Sequence, residues 1–215
     1  PAPPVTIART GVSYGARMFV TFEGVDGSGK STQARLLAER LRSEGREVVL
    51  TREPGGTDAG ERIRDLLLHG ESLAPWAEAS LFAAARAQLV DEVIRPALAR
   101  SADVVSDRYL DSSLAYQGIA RGLGVDRVLE LNLLATSGLL PDRTFLLALS
   151  PDEAAGRREG EPDRIESEGA AFAEEVDRAY REIALVFTKR IVLVDGRANP
   201  EDIAEAIHGQ LRDVS

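Results

Sequence analysis

Residues 24–31 read Gly-Val-Asp-Gly-Ser-Gly-Lys-Ser and follow directly on the apolar run Met18-Phe19-Val20-Thr21-Phe22. An apolar strand, a glycine-rich turn and a helix in immediate succession leave few folds open, because the spacing G-x-x-x-x-G-K-[ST] is that of a phosphate-binding loop. Gly24, Gly27 and Gly29 let the backbone turn tightly, so that its N–H groups face phosphate oxygens while the helix starting near Lys30 directs its positive dipole end at the same anion. The candidate nucleotide-binding set is therefore Gly24, Val25, Asp26, Gly27, Ser28, Gly29, Lys30, Ser31 and Thr32. Lys30 is placed to reach the β- and γ-phosphates, and Ser31 offers a hydroxyl to Mg²⁺, a hard cation suited to a nucleoside triphosphate at a helix start.

From Met18 onward, strand-like runs at 18–23, 47–51, 103–107, 143–149 and 190–194 alternate with helical periods at 30–44, 57–69, 75–100, 111–121, 125–137, 170–187 and 200–213. The runs are apolar without alternation, which suits parallel strands covered on both faces. The expected fold is α/β, a doubly wound five-stranded parallel sheet flanked by helices, with ligands at the carboxyl ends of the strands. Pro96 is expected to bend or end the long third helix. Residues 1–17, with Pro1-Ala2-Pro3-Pro4 and glycines at 11 and 15, read as an irregular extension, and 18–215 as one domain.

Composition narrows the partners. The chain of 215 residues has no cysteine, which excludes disulfides and Cys-based zinc sites, and its net charge of −9 argues against a broad nucleic-acid-binding surface. Arg and Lys for a polyphosphate must then be gathered locally. No apolar run has the length of a membrane span and residues 1–17 lack the apolar centre of a secretory signal, so the expected location is the cytoplasm.

The loop alone leaves many nucleotide-using enzymes open, but neither the Asn-Lys-x-Asp nor the Asp-x-x-Gly string of a GTPase occurs. Instead the second run ends in Thr51-Arg52-Glu53-Pro54-Gly55-Gly56-Thr57, the third in Asp107-Arg108-Tyr109, and the third helix contains Leu81-Phe82-Ala83-Ala84-Ala85-Arg86. Asp107, at the end of a strand beside the loop, can hold Mg²⁺ directly or through water, and Arg108 can fork onto an acceptor phosphate. Phe82 and Arg86 are four apart and share a helix face, where an aromatic ring and a guanidinium can together read a pyrimidine. A lone Phe on a helix would read as core, but an arginine beside it is costly to bury without an acceptor.

In these motifs, in their order from Met18 to the last helix, the chain resembles the thymidylate kinase family, which transfers the γ-phosphoryl group of ATP to thymidine monophosphate (dTMP). The resemblance implies ATP and Mg²⁺ as cofactors, dTMP as the small-molecule partner, and a homodimer. It assigns Asp26 to the acceptor sugar and the metal, Phe82 and Arg86 to the base, Ser113 to the neighbourhood of the base, and Tyr116 to the underside of the sugar. Ser112, Ser113, Tyr116 and Gln117 then form a second wall of the acceptor site. Arg52 is a candidate phosphate ligand, Glu53 stands beside it, and Pro54 is a candidate cis proline. For Arg64, one helical turn on, solvent and the same phosphate are equal readings.

The segment Gly156-Arg157-Arg158-Glu159-Gly160-Glu161-Pro162-Asp163-Arg164-Ile165-Glu166 matches the family's lid. Gly27 occupies the loop position where some members carry a catalytic arginine, so the resemblance implies that the lid supplies it, as in bacterial members. Arg157, Arg158 and Arg164 are the candidates, and Glu159 departs from the basic residue usual there. The loop Asp195-Gly196-Arg197-Ala198-Asn199-Pro200 lies where related kinases contact adenine. The catalytic candidates are thus Lys30, Asp26, Asp107, Arg108, Arg157, Arg158 and Arg164, with Ser31 and Asp107 for metal. His69 and His208 fall in no motif and are expected at the surface. Two rival readings, another nucleoside monophosphate or deoxynucleoside kinase and a catalytically silent nucleotide-binding regulator, fit less of this set.

Overall fold

The structure, a computed structural model, describes residues 17–157 and 161–212. Residues 1–16 of the expected extension and Arg158 of the expected lid lie outside them.

Five strands, β1 (Phe19–Glu23), β2 (Val48–Arg52), β3 (Asp103–Asp107), β4 (Arg143–Ala148) and β5 (Ile191–Asp195), form one parallel sheet in the spatial order β2-β3-β1-β4-β5. Among the described residues the helices are α1 (Lys30–Ser43), α2 (Asp58–His69), α3 (Pro75–Leu89), α4 (Arg95–Ala99), α5 (Leu110–Ser113), α6 (Val125–Ala135), α7 (Pro151–Ala155), α8 (Ala170–Val186) and α9 (Pro200–Arg212). Parallel strands need crossovers, and these helices provide them on both faces. Ala34, Leu37 and Leu41 of α1, with Ile203, Ile207 and Leu211 of α9, bury one face against Val20, Phe22, Phe145 and Leu147. The opposite face packs Phe19, Val104 and Leu146 against Leu89, Leu110, Val128, Val176 and Ile183. This is the doubly wound α/β architecture that the alternation of runs implies.

The central strand β1 is buried at every position, whereas β2 and β5 alternate between buried and open positions. The sequence reading had all five strands covered on both faces, and the two edges depart from it. An edge strand has a neighbour on one side only, so Leu193 on β5 stays 55% exposed although its run is as apolar as the interior ones. The third helix also differs. A π-helical segment, Val90–Ile94, separates α3 from α4 and sits just before Pro96, where a wider turn accommodates a residue with no N–H to donate. The expected helix 111–121 is α5 followed by a second π segment, Leu114–Ala120, with no proline behind it. The short α7 was not read from the sequence, although Ser150 and Glu153 close a capping box at its start.

From β3 the chain crosses to β4 on the far side of β1, so the carboxyl ends of β1 and β3 open onto a crevice.

Candidate active site

Gly24 leaves β1 with φ +138°, and a Cβ there would lie 2.8 Å from the carbonyl oxygen of Leu147 and from Ser28 Oγ. Only glycine fits so close an approach. Gly27 and Gly29 also have positive φ, and Gly29 is the N-cap of α1, whose first residues Lys30 and Ser31 stand at the mouth of the crevice. Lys30 is 6% exposed, with Nζ donating to the Val25 carbonyl at 2.8 Å and lying 3.6 Å from Asp26 Oδ1. Burial and the nearby Arg108 hold its pKa below the usual lysine value, against the pull of Asp26 and Asp107.

Ser31 Oγ donates to Asp107 Oδ2 across the gap between α1 and β3, while Asp107 Oδ1 is buried with no partner among the described residues. A hydroxyl at a helix start and a facing carboxylate with one orphaned oxygen are hard oxygen ligands of the kind Mg²⁺ takes. The described residues contain no cluster of three or more His, Cys, Asp or Glu able to hold a metal. The donor set therefore fits a cation that completes its shell with water and nucleotide phosphates.

Loop and strand ends border one cavity of about 660 Å³. Its floor is the phosphate loop, from Asp26 to Thr32. At one end lie Gly196, Ala198 and Pro200, which brings the expected adenine loop to the cavity together with Arg157, whose guanidinium also donates to the Gly196 carbonyl at 2.9 Å. At the other end Arg52, Arg64 and Arg108 face Phe82, Ser112, Tyr116 and Gln117. For Arg64 the structure selects the inward reading: it lines the cavity and donates to the Pro54 carbonyl at 2.9 Å. Its pKa is held down by burial and by the like charges of Arg52 and Arg108, against the pull of Glu61 and Asp163. The Glu53–Pro54 peptide bond is cis.

Arg108 adopts φ +70°, an uncommon conformation for a side-chain-bearing residue and one found at functional turns. It donates to Asp26, to Ser112 Oγ at 3.0 Å and to the Tyr180 hydroxyl at 2.9 Å. Behind it, buried Glu23 accepts from Ser112 Oγ at 2.6 Å and from Tyr180 at 2.8 Å. Burial and Asp111 push the Glu23 pKa up, while Arg108 pulls the other way. Glu23 and Tyr180 were not among the residues read from the sequence. Tyr180 lies on α8, 157 positions from Glu23, and no local spacing could have paired them.

Among the described residues, five of the sequence set stand outside the cavity wall. Gly24 and Val25 shape the loop from behind, Val25 from the core. Ser113 and Arg86 lie one layer deeper: Arg86 is 1% exposed and all of its N–H groups are directed into the protein, to Glu53, Ser113, Asn132 and the Tyr109 carbonyl. Arg164 turns away from the phosphate loop, its Nε on the Leu67 carbonyl at 2.7 Å and a terminal nitrogen on Glu78 at 2.8 Å. His69 is at the surface as expected, but His208 is buried on the α1 side of α9, its Nε2 2.9 Å from Glu44 Oε1.

Residues 22–207 match the family model "Thymidylate kinase". Thymidylate kinase of Caldanaerobacter subterraneus subsp. tengcongensis is 47% identical over 180 residues, covering 83% of this chain and 86% of the relative. That of Bifidobacterium longum is 46% identical over 203 residues, covering 92% and 98%. A crystal structure of thymidylate kinase from Ehrlichia chaffeensis superposes with a TM-score of 0.77 at 33% identity, covering 92% of this chain and 99% of that one. With the family model spanning most of its length and relatives near half identity over most of theirs, the chain belongs to the thymidylate kinase family.

Proposed function

We propose that the cavity holds two nucleotides end to end, with ATP over the phosphate loop and dTMP in the arginine-lined arm. As a member of its family the chain phosphorylates dTMP to dTDP with ATP as donor, a step toward dTTP. The observation that carries the layout is the continuity of one cavity from Gly196 and Ala198 past Lys30 to Arg52, Arg64, Arg108 and Phe82. Such a cavity can align an acceptor phosphate with a donor phosphate, and alignment with charge neutralisation is most of what phosphoryl transfer asks of a protein.

In this reading Arg108, with Arg52 and Arg64, holds the acceptor phosphate, and Asp26 and Tyr116 orient its sugar. Phe82 stacks on the base beside Gln117, and Arg86 supports that wall through Glu53 and Ser113. An acceptor oxygen attacks the γ-phosphorus, the bond to the β–γ bridging oxygen breaks, and ADP leaves. Lys30 neutralises charge on the β- and γ-phosphates, and Arg157, at the donor end, adds a second cation there. Arg158 remains part of the proposal from sequence alone. Ser31 and Asp107 would hold Mg²⁺, which supplies charge neutralisation on the donor phosphates when bound.

The chain acts on small molecules, and no described helix is long and apolar enough to cross a membrane. A cytoplasmic homodimer that does not use nucleic acid completes the proposal. Leu66, Trp76 and Leu134, exposed on α3 and on the α2 and α6 that pack against it, support the dimer, and the net charge of −9 argues against a nucleic-acid partner. A coupled ADP-release assay over a panel of nucleosides and nucleoside monophosphates tests the assignment. ADP release with dTMP should exceed that with every other acceptor, and equal turnover across the panel would overturn it.

A further inference from the structure

We infer that Arg164 is a positioning residue for the acceptor nucleotide, acting through buried Glu78, which ties together the elements that wall the acceptor end of the cavity. The inference rests on the kinase reading above and goes beyond it in giving Arg164 a place outside the phosphoryl-transfer centre.

Glu78 lies on α3 and is 1% exposed. Its Oε1 accepts from Gln117 Nε2 at 3.0 Å and from Arg121 Nε at 3.3 Å, while its Oε2 accepts from Arg121 at 3.3 Å and from Arg164 at 2.8 Å. Arg121 continues to Glu168 at 2.7 Å and lies over the Phe172 ring at 4.6 Å. Arg164 holds the end of α2 with both main chain and side chain, its N on the Leu68 carbonyl at 2.9 Å and its Nε on the Leu67 carbonyl at 2.7 Å. Two arginines and two carboxylates balance, and Glu78, the fully buried member, loses a counter-charge if either arginine is removed. Burial pushes the Glu78 pKa up, but the hydrogen bonds from Gln117, Arg164 and Arg121 outweigh it and keep the carboxyl below its ordinary value.

Each arm of this node stands next to a residue of the cavity wall. Phe82 is one helical turn beyond Glu78, Leu68 follows Leu67, and Asp163 and Ile165 flank Arg164; Gln117 is itself on the wall, one turn before Arg121. Leu67, Leu68 and Ile165 also form a small apolar cluster against which Phe82 and Tyr116 pack. The node therefore sets the spacing between the stacking face of Phe82, the side chain of Gln117 and the opposing Leu68 and Ile165. Among the described residues no hydrogen bond or ion pair joins the node to Gly196 or Ala198 at the donor end. Loosening the node should cost acceptor binding and spare both ATP binding and the chemical step.

The experiment compares Arg164→Met, Arg164→Lys and Glu78→Gln with the parent, measuring KM for dTMP and for ATP, the single-turnover rate at saturation of both, and Tm. Arg164→Met and Glu78→Gln are expected to raise KM for dTMP about tenfold or more while KM for ATP and the single-turnover rate stay within about threefold. Arg164→Lys, which keeps a cation on Glu78, should recover to within about threefold of the parent. A single-turnover rate reduced about 10²-fold or more with both KM values unchanged would overturn the inference and place Arg164 on the transferring phosphoryl group. A lowered Tm with both KM values changed equally, or not at all, would overturn it in favour of a purely structural role. If Arg164→Met does not fold, the same split in Glu78→Gln together with recovery in Arg164→Lys decides. A parent inactive on dTMP would instead overturn the kinase reading, a result distinct from every outcome in the variants.

Discussion

Arg108 donates to Asp26, so the residue at the end of β3 that faces the acceptor arm is bound to the middle of the phosphate loop. Donor and acceptor sides thus share one ion pair before either nucleotide contributes a contact. Tyr116 joins it from above, its hydroxyl 3.3 Å from Asp26 Oδ2.

That pair makes stability depend on pH in a definite direction. Burial works against the Asp26 charge, but Arg108 and Lys30 outweigh it and depress the carboxyl pKa below the 3.8 of a free aspartate. As pH falls through that value the unfolded chain takes up a proton that the folded one refuses, so the contribution of Asp26 is complete above about pH 4 and is lost below it. Asp26→Asn should lower Tm at neutral pH, and the gap to the parent should narrow as pH drops toward about 2.5. Thermal unfolding across that range checks it, and a constant gap would show that the pair carries no linkage.

Lys30 is buried with its Nζ on the Val25 carbonyl and near Asp26, which keeps Arg108 as a second counter-charge. Lys30→Ala should reduce kcat by about 10²–10³-fold, as loss of a preorganised charge on a developing anion does. Tm should move by no more than a few degrees. Turnover within threefold of the parent would remove Lys30 from the mechanism.

Arg86 behaves differently because its guanidinium is enclosed by Glu53, Ser113 and Asn132. Arg86→Ala leaves Glu53 as a buried carboxylate without its counter-charge and should cost about 3–5 kcal/mol of folding stability. Urea unfolding measures this directly. A loss under about 1 kcal/mol would mean that Glu53 finds another partner or a proton.

The metal assignment predicts that Asp107→Asn raises the Mg²⁺ concentration for half-maximal rate about tenfold or more, with Ser31→Ala having a smaller effect. An Mg²⁺ titration of both variants at saturating nucleotides tests it. Unchanged Mg²⁺ dependence in both would move the cation elsewhere.

The parts legible in the sequence were those whose physics is local. Glycines that must adopt positive φ, a Lys-Ser at a helix start and apolar runs of strand length each carry their meaning within a few residues. Which side of a helix meets the cavity is not local. Phe82 and Arg86 share a face by spacing, yet Phe82 reaches the wall while Arg86 passes behind it, because Asn132 on α6 offers an acceptor that no pattern in α3 announces. The same applies to Arg164, whose partner Glu78 is 86 positions away, and to His208, which turns inward against Glu44. Edge strands read like central ones because apolarity reports that a run can be buried, not how many neighbours it will have.

The place of β1 at the centre of the sheet has a consequence for how the chain comes into being. Both strands that flank it are made later: Met18 N donates to Asp103, 85 positions on, and Phe19 N to Asp142, 123 positions on. At a ribosomal pace of about 5–20 residues per second, the strand that carries the phosphate loop emerges roughly 4–17 seconds before its first neighbour. During that interval an apolar segment has no sheet to join. Loop closures of this length also slow refolding of the finished chain, since their entropy must be spent before any strand pairing returns it. The most recognisable motif in the protein is therefore synthesised before both of its neighbouring strands and sheltered late, and nascent chains stalled between β2 and β3 are the species in which its strand is open to chaperones and to aggregation.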